Sequence, residues 1–290
     1  MRIVIVGAGN VGTALAILLQ RAGHEIVGLT CRTKASAKAA AAHVQVPYGT
    51  DPLEFTPHAE LVFITTPDRS IAEVCGKIAG KKGFAPGTVV AHTSGAHNSQ
   101  ILNPVIPLGA FPLSFHPLQT FAHPLAGAEN LPGSYITVEG HKQALGVGRQ
   151  LVKDLQCKLL EISTESKPLY HCAAAIACNY FTAVIDAALQ VMEASGIKRQ
   201  EALPALYPLI AGTLQNIRKT GTTGALTGPV ARGDVGTVET HLAALAAKIP
   251  HLLPLYATLG EVAVDIAARK GTLDALGQEQ FLKLFGEVKK

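Results

Sequence analysis

Short apolar runs and stretches of mixed polarity alternate through the first 163 positions. Residues 2–6 (RIVIV) form a β-branched run that ends at Gly7, and residues 13–22 (TALAILLQRA) carry the apolar content of a helix packed on a sheet. The rhythm repeats with a strand over 25–30, an Ala-rich helix over 34–43, a strand over 61–66, a helix from Ser70 and a strand over 88–92. A strand over 134–139, a helix over 142–155 and a strand over 158–163 extend it. The early strands are apolar without a break, the signature of strands covered on both faces. The pattern therefore predicts an α/β, Rossmann-like, doubly wound parallel sheet.

After residue 164 the texture changes. Ala/Leu-rich stretches at 168–194, 200–219, 237–247 and 250–269 show no further strand pattern, so the second half is expected to be all-α. Gly212 and the cluster at 221–224 punctuate it, and residues 227–236 form a glycine-containing polar loop. The expected division is a first domain over 1–163 and a helical domain over 164–290.

Composition narrows the function. With 48% hydrophobic and 16% charged residues, the 290-residue chain has ample apolar material for two cored domains. A net charge of +4 with scattered Lys and Arg offers no basic stripe, which argues against nucleic acid or an anionic membrane as partner. Residues 1–2 lead directly into a strand, and no targeting or spanning segment is evident, so a cytoplasmic location is expected. Five cysteines without CxxC spacing fit buried thiols better than disulfides or a zinc knuckle.

Gly7-Ala8-Gly9-Asn10-Val11-Gly12 matches GxGxxG after a predicted strand and before a predicted helix. Gly7 would make the tight turn, Gly9 would let a pyrophosphate approach the backbone, and Gly12 would pack helix on strand. An NAD site usually places an acid about 20 residues further on to hold the ribose 2′-hydroxyl, yet none occurs from 26 to 50. The second strand instead leads to Arg32 and Thr33, a guanidinium and a hydroxyl suited to a 2′-phosphate, so NADP is favoured over NAD. The alternative for Arg32 is a solvated residue that begins a helix. Thr66 and Pro67, at the carboxyl end of another strand, lie where an open α/β sheet binds its ligand, or else form a Pro-Asp turn.

Residues 83–128 contain no Asp, Glu, Lys, Arg or Cys, yet hold His92, His97, His116 and His123, four of the eleven histidines. No metal site is expected, because carboxylates and cysteines are absent and the histidines lack a metal-binding spacing. His116, at the end of an apolar strand-like run, is the candidate for handling a proton, with Ser94 as a candidate orienting group.

Taken in order, GAGNVG, HTSGA (92–96), SFHPLQTF (114–121), LYHCAAAIACNY (169–180) and ALTGPVARGD (225–234) resemble the bacterial family of Rossmann-like proteins with a helical C-terminal domain of unknown function. Its wider relatives are pyrroline-5-carboxylate reductases, prephenate dehydrogenases and β-hydroxyacid dehydrogenases. The resemblance spans essentially the whole chain and implies a C-terminal domain like that of 6-phosphogluconate dehydrogenase, a small-molecule substrate and a homodimer formed through the helices. Ser94 and the His116-Pro117 pair are similar to the Ser and His-Pro of prephenate dehydrogenases, although the Lys that follows that Ser is missing. The stretch beginning His123-Pro124 is similar to the same His-Pro motif, so two equivalences stay open. Asn179 matches the helix Asn of β-hydroxyacid enzymes, but Ala175 stands where they carry Lys. Thr227, Arg232 and Asp234 lie in a loop similar to the substrate loop of pyrroline-5-carboxylate reductases; the alternative is an Arg232–Asp234 pair that fixes a turn. The expectation is an NADP-dependent oxidoreductase acting on a small carbonyl, imine or alcohol, with a non-catalytic NADP(H) sensor as the rival.

Overall fold

The computed structural model describes residues 1–288. An eight-stranded sheet runs in the order β3-β2-β1-β4-β5-β6-β7-β8. Its strands are β1 (Arg2–Val6), β2 (Glu25–Thr30), β3 (Tyr48–Gly49), β4 (Leu61–Ile64), β5 (Val89–His92), β6 (Phe111–Pro117), β7 (Tyr135–Gly140) and β8 (Lys158–Glu161). The helices between them are α1 (Asn10–Arg21), α2 (Lys34–Ala41), α3 (Asp68–Gly80), α4 (Pro124–Asn130) and α5 (Lys142–Asp154), with a 3-10 helix over Ser99–Leu108.

The unbroken hydrophobicity of β1 has the expected cause. Ile3 and Ile5 enter the core shared with α1, while Val4 and Val6 enter the core on the opposite face beside Ile71 and Cys75 of α3. All four are at most 3% exposed, and full burial of each contributes about 1.5–3 kcal/mol. The sheet is parallel except where β6 meets β7, which pair antiparallel with His116 opposite Thr137. After β6 the chain returns from the same end of the sheet through α4 instead of crossing over, and this reverses β7.

Helix α6 (Lys167–Ala175) belongs to the sheet and not to the helices after it. The compact units divide between Ala177 and Cys178, fourteen residues beyond the boundary that the change of texture suggested. The cause is the first turn of α6, which buries Lys167 completely against β6. A π-helical turn over Ile176–Tyr180 follows.

The second unit contains α7 (Phe181–Ala194), α8 (Arg199–Ala225), α9 (Val235–Lys248), α10 (Leu253–Lys270) and α11 (Ala275–Val288); α11 has no counterpart among the expected helices. Val238 and Leu242 of α9, Val264 of α10 and Phe281 and Phe285 of α11 form its core. Helices α7 and α8 bury only Leu189 and Ala202, respectively.

Candidate functional site

The glycine turn sits at the carboxyl end of β1. Gly7 has φ +91°, and a Cβ there would lie 2.6 Å from Thr66 Cγ2. A Cβ on Gly12 would lie 2.3 Å from Thr65 Oγ1 and 3.0 Å from Ile5 Cγ2, so that glycine allows α1 to rest on the sheet. Gly9 has open space where its Cβ would be. It precedes α1 without a side-chain cap, and no acid occupies the first turn. The free N–H groups of a helix start favour an anion, and an open Gly9 lets one reach them. Thr66 Oγ1, against Gly7, and Thr30 Oγ1 are buried without hydrogen-bond partners. These features fit the pyrophosphate and ribose of a dinucleotide. Ala8 is buried and Val11 packs against the core, so each offers such a ligand only its backbone.

The Asn10 side chain has a use of its own: its amide donates to the carbonyls of Phe121 and Ala122 at 2.9 and 3.0 Å. It thereby ties the start of α1 to the loop after β6. At the end of β2, Arg32 is exposed and makes no ion pair among the described residues. Thr33 caps α2 by accepting from Ser36 N–H at 3.2 Å. Pro67 precedes α3, which begins at Asp68 and not at Ser70.

The histidines of the charge-free segment separate by environment. His92 is fully buried, and both ring nitrogens are engaged: Nδ1 accepts from Ser94 N–H at 3.1 Å, and Nε2 donates to the Asn98 carbonyl at 3.0 Å. Burial pushes its pKa down to about 4. The Ser94 hydroxyl donates to Asp68 Oδ2 at 2.8 Å and accepts from Ala96 and His97 N–H at 3.2 and 3.1 Å, so it knots the loop after β5. His123 is exposed and caps α4 through Leu125 N–H.

His116 is placed differently. Ser114 and His116 alternate along β6 and so share one face of the sheet, while Lys167, Tyr170 and His171 share one face of α6. The two faces meet. Lys167 Nζ donates to Ser114 Oγ at 2.7 Å, and His116 Nδ1 is 2.8 Å from the Tyr170 hydroxyl. The His116 and His171 rings stand edge to face at 6.3 Å. A Cβ on Gly95 would lie 2.8 Å from His116 Nε2 and 2.4 Å from His171 Cδ2, so only glycine leaves room for these rings. Burial first, then the Lys167 charge, pushes the His116 pKa down to about 3, and its imidazole is neutral across the physiological range.

Sequence reasoning missed Lys167, Tyr170, Ser114 and Glu139 as members of this cluster. Glu139 is buried and accepts from Ser99 N–H, Ser99 Oγ and Thr164 Oγ1 at 2.7, 2.8 and 2.9 Å. The available signal was Lys167 itself, the only Lys or Arg between Lys158 and Lys198, placed three and four residues before Tyr170 and His171. Among the described residues, no group of three or more His, Cys, Asp and Glu converges as a metal site.

The other expected site residues lie in the second unit. Asn179 is exposed in the π turn, and Thr227 and Arg232 are exposed in the loop before α9. Asp234 caps α9: Oδ1 accepts from Thr237 N–H at 3.0 Å and Oδ2 from Thr237 Oγ1 at 2.6 Å. These bonds hold its pKa below the usual carboxylate range.

Known proteins resemble both halves. Residues 1–117 match a Rossmann-like domain, and residues 134–263 match a domain of unknown function, DUF2520. No curated protein matches the sequence. Among solved structures, a Bacteroides fragilis protein provisionally named an NADP oxidoreductase is 26% identical with a TM-score of 0.73, covering 91% of this chain and 98% of its own. A Thermotoga maritima protein is 25% identical with a TM-score of 0.72, covering 92% and 99%. The 1-pyrroline-5-carboxylate reductase of Streptococcus pyogenes, 17% identical with a TM-score of 0.62 over 93% of this chain and 98% of its own, shares the fold. The chain is thus similar over residues 1–117 to Rossmann-like domains and over residues 134–263 to the DUF2520 domain, the combination its motifs resemble.

Proposed function

We propose that this protein is an NADP-dependent oxidoreductase that transfers a hydride to or from a small carbonyl, imine or alcohol. The observation that carries the reading is the Asn10 tether: the glycine turn and the segment beyond His116 are joined at one carboxyl edge of the sheet, where open α/β sheets bind their ligands. A bound nicotinamide nucleotide supplies or takes the hydride. The turn from Gly7 to Gly12 holds its pyrophosphate through backbone N–H groups, and Arg32 and Thr33 address the 2′-phosphate. His116 presents a neutral ring to the reacting oxygen or nitrogen, backed by the Tyr170 hydroxyl. Asn179, Thr227 and Arg232 are candidate substrate contacts, with Arg232 suited to a carboxylate.

The test mixes purified protein with NADPH and a panel of keto acids, cyclic imines and aldehydes. Binding is followed by nucleotide fluorescence, and turnover by loss of reduced-nicotinamide absorbance. Oxidation by the wild type and at least a hundredfold loss in His116→Gln support the reading. Tight NADPH binding without turnover across the panel, unchanged in His116→Gln, favours the NADP(H) sensor.

We also propose that the protein is a homodimer formed through its helical unit. On α8, exposed Leu203, Tyr207, Leu214 and Ile217 recur at spacings of four, seven and three, which forms one apolar stripe. The stretch Thr164–Ala194 is long and apolar enough to cross a membrane by length and composition, and 6% of its most apolar window is buried. It also carries Asn179, Asp186 and Glu193, polar groups that a second copy of the chain accommodates better than hydrocarbon.

A further inference from the structure

Lys167 is fully buried, yet among the described residues it has no ion-pair partner. Its ammonium donates one hydrogen bond, to Ser114 Oγ at 2.7 Å, and lies 5.5 Å from the centre of the Tyr170 ring. Two carboxylates face it from other elements, and each is engaged elsewhere. Glu139 of β7 accepts from Ser99 and Thr164, and Asp68 of α3 accepts from Ser94. The other titratable groups around the cluster are His92 on β5, His116 on β6, and Tyr170 and His171 on α6. A buried, unpaired ammonium is a costly way to fill space, since an apolar side chain of similar volume often packs there more stably. A purely structural account of Lys167 is therefore weak.

We propose that Lys167 is a positioning residue for His116: its ammonium, fixed by Ser114 and covering the Tyr170 ring, carries the positive charge of the site in place of the imidazole. The state of the site then changes when the lysine loses its proton on the alkaline side, and not when the histidine gains one on the acid side. Contact supports the coupling. Lys167 touches Ser114 and Tyr170, Tyr170 touches His116, and Ser114 stands two residues from His116 on the same strand face. Burial depresses the lysine pKa to about 8, although Glu139 and Asp68 pull it upward, and the His116 pKa lies far below that. Between these values the cluster holds a charged lysine and a neutral imidazole. The bearing of this pair on catalysis rests on the proposed role of His116, but the coupling exists in the protein alone.

The test is the ¹H–¹⁵N ring spectrum of His116, assigned with His116→Gln and followed from pH 5 to 10 without nucleotide or substrate. The wild-type ring is expected to stay neutral throughout and to shift in a single step with a midpoint near pH 8. That step disappears in Lys167→Met, which keeps the volume, and in Lys167→Arg, which keeps its charge over the range. Ser114→Ala removes the ammonium's acceptor and moves the midpoint to lower pH. A thermal melt identifies any variant that fails to fold, and the wild-type step together with the Ser114→Ala shift then decides. A His116 ring that titrates between pH 6 and 7, a wild type without an alkaline step, a step that persists in a folded Lys167→Met, or an unmoved Ser114→Ala midpoint would each overturn the proposal. None of these readings needs cofactor or turnover, so failure here leaves the oxidoreductase reading standing, and failure of the substrate panel leaves the coupling standing.

Discussion

The two units invert each other's surface chemistry. The sheet unit conceals polar groups: His92, Ser94, Ser114, Glu139 and Lys167 are all at most 4% exposed. The helical unit displays apolar ones, with Tyr207 66%, Leu209 67% and Leu276 64% exposed. Buried polar groups and broad exposed apolar stripes are the informative departures from an ordinary globular protein. In the first unit they mark an electrostatic arrangement kept away from water. In the second they form the apolar stripe on which the proposed dimer rests.

The strongest way to break this comparison is to charge the apolar stripe. Tyr207→Glu with Leu214→Glu should convert a dimer at micromolar concentration into a monomer in light scattering, a weakening of at least a thousandfold or about 4 kcal/mol. A wild type that is already monomeric removes the second half of the contrast.

Acid tests the first half. The folded pKa of His92 is about 4 and that of His116 about 3, both below the usual 6.5 of an unfolded chain. The unfolded state therefore binds more protons below pH 6.5. Stability is full above that pH and falls as the pH drops through the folded values. For His92 the loss is on the order of 3 kcal/mol, complete near pH 4. Lys167 acts in the same direction on the alkaline side: its folded pKa is also depressed, so stability rises as the pH climbs from about 8 toward 10.5. Urea unfolding followed by circular dichroism at a series of pH values checks both slopes. A flat profile between pH 7 and 4.5 would show that these rings reach water.

What was legible in the sequence follows the same division. Strands covered on both faces and a glycine turn leave local marks, so β1, α1, β2, the tight turn at Gly7 and the close packing at Gly12 could be read directly. The reversal of β7 could not, because hydrophobic alternation carries no strand direction. Lys167 was hidden for a related reason: a lysine at the start of an Ala-rich helix looks solvated, and only the docking of α6 on β6 turns it inward. That docking also moves the unit boundary past Thr164. His116 and His123 differ in space: one joins the α6 cluster and the other caps a short helix in solvent.

Within the sheet unit, the exposed end can be separated from the buried one. Arg32→Ala should weaken NADPH binding about tenfold, as expected for loss of a charge-assisted hydrogen bond, and leave NADH binding nearly unchanged. Parallel fluorescence titrations with the two nucleotides measure this. Equal losses would mean that Arg32 supports the turn in general and does not read the 2′-phosphate.

The smallest expected effect concerns Asp234, where the helical unit has one well-satisfied polar group among its exposed apolar side chains. Its place in a substrate-loop motif suggests ligand binding, whereas both of its oxygens already hold Thr237 at the start of α9. The two roles respond differently to chemistry. Serine is also a good helix cap, so Asp234→Ala should lower Tm by a few degrees and Asp234→Ser should recover most of the loss. Neither should change KM for the compound that the panel identifies. If Asp234 instead bound substrate through its charge, serine would be no better than alanine and KM would rise equally in both. The comparison of two caps, only one of them charged, thus separates a carboxylate that anchors a helix from one that recognises a ligand.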